Sequence, residues 1–154
     1  MMNRIVTLAA TVAFAALSAV AAPNLSGEWK LNAAKSDFGP VPAPDKMIRK
    51  IMHADPSLKM TTMQSGAQGE VTSELAYTTD GKETVNKSAR GEVKGTAKWS
   101  GENLIIDSKR EFQGAEITQH ETWSLGDDGK TLTVLNKITA PQGEFDLKMV
   151  FEKQ

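Results

Sequence analysis

Cysteine is absent from the sequence, which excludes disulfides, thiol nucleophiles, zinc-thiolate sites and a lipid-modified N-terminal cysteine. Stability therefore rests on packing. Surplus charge is absent too: 18 Lys and Arg stand against 19 Asp and Glu, a formal net charge of −1. Such a balance offers no basic excess to hold nucleic acid or anionic lipid. Histidine is scarce, with only His53 and His120, and neither has a metal-ligand spacing to Cys, His or Asp. No metal and no cofactor is expected. The chain also lacks a phosphate loop, a Gly-rich nucleotide fingerprint and a Gly-x-Ser-x-Gly elbow. It carries no recognisable enzyme motif.

One long apolar run is present, at the start. MMNR leads into IVTLAATVAFAAL and then the small residues SAVAA, the order of a secretory signal peptide over 1–21 with cleavage after Ala21. The apolar stretch falls short of the roughly 20 residues that span a bilayer. The expectation is one domain over 22–154, periplasmic or secreted, monomeric and with no integral membrane association.

Beyond the signal no helix-length apolar pattern recurs, and strand patterns take over. The stretch from Glu92 to Thr139 breaks into four alternating runs joined by Gly-bearing turns, the pattern of consecutive antiparallel strands. If Gln113-Gly114 is a two-residue link, Phe112 faces Ala115, Arg110 faces Ile117, Ser108 faces Gln119, Ile106 faces Glu121 and Leu104 faces Trp123. The neighbouring turns pair Trp99 with Leu104, Gly95 with Ser108, Trp123 with Val134 and Glu121 with Asn136. A period of two keeps these residues on one face. One end of that face is large and apolar; the other carries Gly95, Ser108, Arg110 and Gln119.

Counted along the chain, ten strands emerge, from GEWKL to EFDLKMVFEK. Asn32 is placed to cap a single helical turn, and the prolines of GPVPAP prevent regular structure after it. The fold expected is an all-β, antiparallel up-and-down barrel of 8 to 10 strands, in which the last strand meets the first and closes the ring. Trp29, Trp99, Trp123 and Phe151 are expected to plug one end. Phe38 to Asp45 is expected to cover the other. Near that open end the pairing aligns Thr62, Ser73, Ser88, Val93, Arg110 and Ile117, with Arg49 joining if its strand has no bulge. Below them Gly95, Ala97 and Ser108 leave volume with nothing evident to fill it.

The run SGEWKLNAAKSDF and the hairpin ladder through Phe151 resemble the lipocalin-like small barrels of the calycin group, which includes the fatty-acid-binding proteins. SGEWKLNAAKSDF with its proline-rich sequel is similar to a set of small exported bacterial proteins. The resemblance spans nearly all of 22–154 and implies a small apolar or amphiphilic ligand held inside the barrel. It departs from lipocalins in lacking a Thr-Asp-Tyr motif, a cysteine pair, a C-terminal helix and a last-strand arginine over Trp29. Ten strands lie closer to the fatty-acid-binding arrangement, although NAAKSDFGPVPAPD stands in place of that family's helix pair.

Arg110 is the leading candidate for a head-group site, because an inward guanidinium offers a planar fork to a carboxylate, sulfate or phosphate. It would hold the head near the mouth, with the tail toward the tryptophans. The alternatives are pairing with Glu121 or turning out to solvent. Gln119, Ser108, Tyr77 and Arg49 are supporting candidates. Glu121 reads either as satisfied core polarity or as the acid of a pocket isomerase or hydrolase, without the second carboxylate of a glycosidase. The functional expectation is a non-catalytic binding barrel; the alternative is a solid-cored interaction barrel. An interior volume of about 300 Å³ or more favours the first.

Overall fold

Alternation of inward apolar and outward polar residues sets the architecture. In the last strand Phe145, Leu147, Met149 and Phe151 face inward while Asp146, Lys148 and Glu152 face out, as a pleated strand with one buried face requires. The computed structural model describes residues 22–88 and 91–154. The signal peptide read over 1–21 lies outside the described residues.

Ten strands occur among the described residues: β1 (Gly27–Leu31), β2 (Lys46–Ala54), β3 (Ser57–Gly66), β4 (Gly69–Thr78), β5 (Thr84–Ser88), β6 (Gly91–Ser100), β7 (Asn103–Phe112), β8 (Ala115–Leu125), β9 (Thr131–Ala140) and β10 (Gly143–Lys153). All belong to one antiparallel sheet in the order β4-β3-β2-β1-β10-β9-β8-β7-β6-β5. β1 pairs with β10 through Trp29 and Lys153, Lys30 and Glu152, and Leu31 and Phe151. The expected junction of first and last strand is therefore present. Asn32 caps a short 3-10 turn at Ala33–Lys35, its side chain accepting from the Lys35 amide.

The register of β6 to β9 follows from the turns as read: Gly95 pairs with Ser108, Leu104 with Trp123, Ile106 with Glu121 and Glu121 with Asn136. At the β7-β8 hairpin Gln113 has φ 52° and Gly114 φ 78°. Positive φ at both central residues is what a type I′ turn needs to match the twist of its strands. β5 differs from the reading. Its partner for Val93 is Asn86 in place of Ser88, and Ser88 pairs with Gly91.

The ring does not close by a continuous ladder. β4 and β5 are neighbours without paired backbones, and side chains bridge the gap: Asn86 accepts from the Ala76 amide at 2.8 Å and donates to the Ala76 carbonyl at 3.0 Å, while the Thr84 hydroxyl donates to the same carbonyl at 3.0 Å. The seam thus lies between β4 and β5, away from the junction of first and last strand.

The closed end is packed as expected by Trp29, Trp123, Phe151, Leu25, Leu104, Leu132 and Val134, all nearly or wholly buried. Trp99 departs from the expected plug. It is half-buried at the rim, where its indole N–H donates to Asp55 at 3.2 Å and its ring lies 5.7 Å from that of His53. A polar partner on the β2-β3 turn draws it outward. No last-strand arginine covers Trp29, but Lys153 Nζ stands 5.7 Å from the ring centroid, a cation over an aromatic face.

Candidate ligand-binding site

The barrel interior is open above this packed floor. A cavity of about 370 Å³ runs from the mouth down to Arg49 and Glu121, and all six residues singled out in the sequence line it: Arg110, Gln119, Ser108, Tyr77, Arg49 and Glu121. They come from four strands, β2, β4, β7 and β8, so no one hairpin builds the site. β2 supplies Arg49 because it pairs with β3 without a bulge, placing Arg49 opposite Thr62. The inward periodicity of β7 and β8 supplies the rest, apart from Tyr77 of β4.

The cavity has two chemical zones. The mouth has an apolar cover, Phe38, Val41, Pro42 and Pro44, over walls that mix Val71, Val93, Ile117 and Ile138 with Arg110, Gln64, Ser73 and Ser88. This covering segment is anchored at both ends. Asp37 and Lys148 exchange backbone hydrogen bonds of 2.7 and 2.8 Å, and the Asp45 amide donates to Ser65 O at 2.9 Å. Phe38 to Asp45 thus occupies the place expected of it.

The inner zone is polar, and Arg49 is its centre. Arg49 is 8% exposed, with its guanidinium carbon 5.2 Å from the Trp123 ring centroid and 4.9 Å from that of Phe151. Its Nε donates to Thr62 Oγ1 at 3.2 Å, while Nη1 is buried with no protein partner. Arg110 Nε and Asn136 Oδ1 are likewise buried without a partner. Buried polar atoms are almost always satisfied, so this concentration around one cavity is chemically unusual.

Glu121 is 9% exposed. Burial pushes its carboxyl up, and the Arg49 guanidinium opposes the shift only in part. The Trp123 indole N–H also favours the carboxylate as a nearby donor, although its geometry stops short of a formed hydrogen bond. The alternative pairing of Arg110 with Glu121 is not formed: none of the ion pairs among the described residues includes either residue. Nor do Arg49 and Glu121 come within the 4.0 Å of an ion pair, although each stabilises the charge of the other. Burial lowers the pKa of Arg49, and Glu121 and Tyr77 oppose that shift.

Tyr77 corrects the expectation of unfilled volume near Gly95. A Cβ built on Gly95 would stand 2.8 Å from Tyr77 Cε1 and 2.8 Å from Asp107 O, so the tyrosine ring occupies the room that glycine leaves. Burial pushes the Tyr77 phenol far above its usual range, with Ser108 as a hydrogen-bonding neighbour pulling the other way. It therefore stands neutral beside Arg49. Gln119 accepts from Asn136 Nδ2 at 3.3 Å.

The two histidines lie outside the cavity. His53 Nδ1 accepts from the Leu25 amide at 3.1 Å and Nε2 contacts Asp55 at 2.6 Å, so both ring nitrogens are engaged within the protein. His120 is exposed and meets Asp107. No cluster of His, Asp and Glu suited to a metal ion occurs among the described residues.

Solved structures share this backbone form. A secretory abundant heat soluble protein from Ramazzottius varieornatus superposes with TM-score 0.60 at 14% identity, over 84% of this chain and 95% of that one. Fluorescent protein UnaG gives 0.59 at 16% identity, over 84% and 97%. Zebrafish ileal bile acid-binding protein, solved with cholic acid, gives 0.54 at 19% identity, over 84% and 98%. The shared fold is a nearly closed barrel of ten antiparallel strands. No protein-family model and no curated sequence matches the chain. The barrel therefore has its likeness in backbone form, and its interior chemistry has to be read from its own residues.

Sequence reasoning ranked these residues differently from the structure. Arg110 was placed first, yet Arg49 is the more buried guanidinium and the one resting on aromatic faces. Asn136 and Phe38 were not singled out as site residues. The pairing of Asn136 with Glu121 was the available signal for the first, and the proline-rich cover for the second.

Proposed function

We propose that this protein is an exported, monomeric, non-catalytic barrel that carries a small anionic amphiphile, its head on Arg49 and its tail toward the proline-rich cover. The observation that carries the reading is the cavity of about 370 Å³, covered by apolar Phe38, Val41, Pro42 and Pro44 and reaching down to a buried Arg49 Nη1 without a protein partner, with Arg110 Nε likewise unpartnered above it. An anion would supply the missing acceptors through charge-assisted hydrogen bonds. This orientation reverses the one expected from Arg110, because Arg49 takes the deep position. The volume equals that of about a dozen waters at roughly 30 Å³ each, which fits a medium-chain acid better than a long one. It also argues against the solid-cored alternative. Glu121 is the sole carboxylate lining the cavity among the described residues, which leaves an acid-base enzyme without its second group. Structural likeness to a protein solved with cholic acid agrees with a carrier role.

Decanoate and decanol distinguish the parts of this reading. Calorimetry should show both binding the 22–154 protein, with Arg49→Met weakening decanoate by about 1.5–3 kcal/mol, the worth of a hydrogen bond to a charged group, and decanol little. Binding of neither, or equal loss for both, overturns the assignment. Export is tested separately by the N-terminus of the protein recovered from its native host, expected at Ala22.

A further inference from the structure

Arg49 and Glu121 form the most unusual pair in the molecule. Both are more than nine-tenths buried, they belong to β2 and β8 on facing walls, and they share electrostatic influence without an ion pair. The surroundings of Glu121 are otherwise poor in charge. Its inward neighbours are Gln119 and Trp123 on its own strand, Ile106 and Ser108 on β7, and Asn136 on β9. Across the interior stand Arg49 on β2 and Tyr77 on β4, with Arg110 higher in the cavity. The phenol of Tyr77 is neutral, so Arg49 is the principal positive charge favouring ionised Glu121.

We infer that an anion enters this cavity together with a proton, which Glu121 takes up as the ligand occupies Arg49. This rests on the binding reading above. Two negative groups sharing one buried cation cannot both stay ionised at low cost, and the weaker acid is the one that protonates. One Glu121 carboxylate oxygen gains a proton from solvent, and no other covalent bond changes. The neutral acid then offers a donor toward the ligand or Asn136 in place of a repelling charge. Glu121 is in this sense a specificity residue: it admits neutral guests freely and makes admission of anions depend on pH. Burial has already raised its affinity for a proton in the empty barrel.

Octyl sulfate is the probe, because its head group stays ionised throughout and cannot be the proton acceptor. Calorimetry in phosphate and in Tris, over pH 5 to 9, reads proton uptake from the difference in apparent heat. The expected result is uptake approaching one proton per octyl sulfate in part of that range, with Kd rising up to about tenfold per pH unit there, and no uptake with octanol. Glu121→Gln should bind octyl sulfate with neither uptake nor pH slope. Tight binding with uptake under about 0.2 proton across the whole range overturns the inference, as does uptake that persists in Glu121→Gln. The buffer comparison on the unaltered protein stands even if that variant folds poorly. Should octyl sulfate and octanol both fail to bind, the binding reading falls and takes this inference with it; binding without uptake removes this inference alone.

Discussion

The ring of Tyr77 occupies the space above Gly95, its Cε1 2.8 Å from where a Cβ on that glycine would stand. One contact thus ties β4 to β6 across the short β5 and sets the position of a phenol in the cavity wall. Gly95→Ala should cost about 1–3 kcal/mol, the usual range for overpacking, because backbone Asp107 O closes the other side at 2.8 Å. Urea unfolding measures this. A loss below about 0.5 kcal/mol would show that the ring moves aside without strain.

The closed end provides a graded pair of substitutions. Trp123 is 1% exposed, and Trp123→Ala should cost about 3–5 kcal/mol, as large aromatic truncations in cores do. Trp99→Phe keeps most of the ring and loses the hydrogen bond to Asp55, so about 0.5–1.5 kcal/mol is expected. Equal losses in chemical denaturation would contradict the placement of Trp99 at the rim.

Asp55 gives a pH dependence of known sign. Burial alone would raise its carboxyl, but hydrogen bonds from His53, Thr79 and Trp99 outweigh that and hold it below the usual range. A carboxyl whose pKa is depressed by folding contributes stability above its unfolded value, near 3.9, and loses it as pH falls through the folded value. Asp55→Asn should therefore be less stable than the unaltered protein by a constant margin from pH 5 to 7. That margin should shrink below about pH 3. Denaturation midpoints across this range decide it, and a margin that grows on acidification would reverse the sign.

Asn86 holds the seam through two bonds to Ala76. Asn86→Ala should accelerate exchange of the Ala76 amide selectively while amides in the middle of β9 keep their protection, since local opening draws on few contacts. Hydrogen exchange followed residue by residue is the measurement. Uniform acceleration across the sheet would mean that the seam is not an independent element.

The parts legible in the sequence were those fixed by local chemistry. Gly101-Glu102 and Gln113-Gly114 determine how their strands pair, and a two-residue period then settles which side chains share a face. Leu104 opposite Trp123 and Glu121 opposite Asn136 needed nothing more. Contacts between residues far apart in the chain were not legible. Whether Arg49 reaches Trp123 and Phe151 depends on how the barrel curls, and whether Tyr77 meets Gly95 depends on the shortness of β5. The Lys153 cation over Trp29 was missed because the covering residue was sought as an arginine. The turn pairing placed Trp99 opposite Leu104, where it is found packed against the core, but not its partial exposure and its hydrogen bond to Asp55, a turn residue 44 positions away.

Backbone ladders join every adjacent pair of strands except β4 and β5, so the sheet is a ribbon rolled until its margins touch. Backbone pairing beyond the end of β4, Asp80 with Lys98 and the Gly81 amide to the Ala97 carbonyl at 2.9 Å, holds one end of that margin; along the strands the fastening is a few side-chain hydrogen bonds, each worth about 0.5–1.5 kcal/mol net. Undoing them widens the cavity without breaking a ladder, and the widening is directional, between the wall of Leu75 and that of Val93. The barrel is thus a cuff with a clasp, and for the carrier proposed above the clasp would set how bulky a guest could enter.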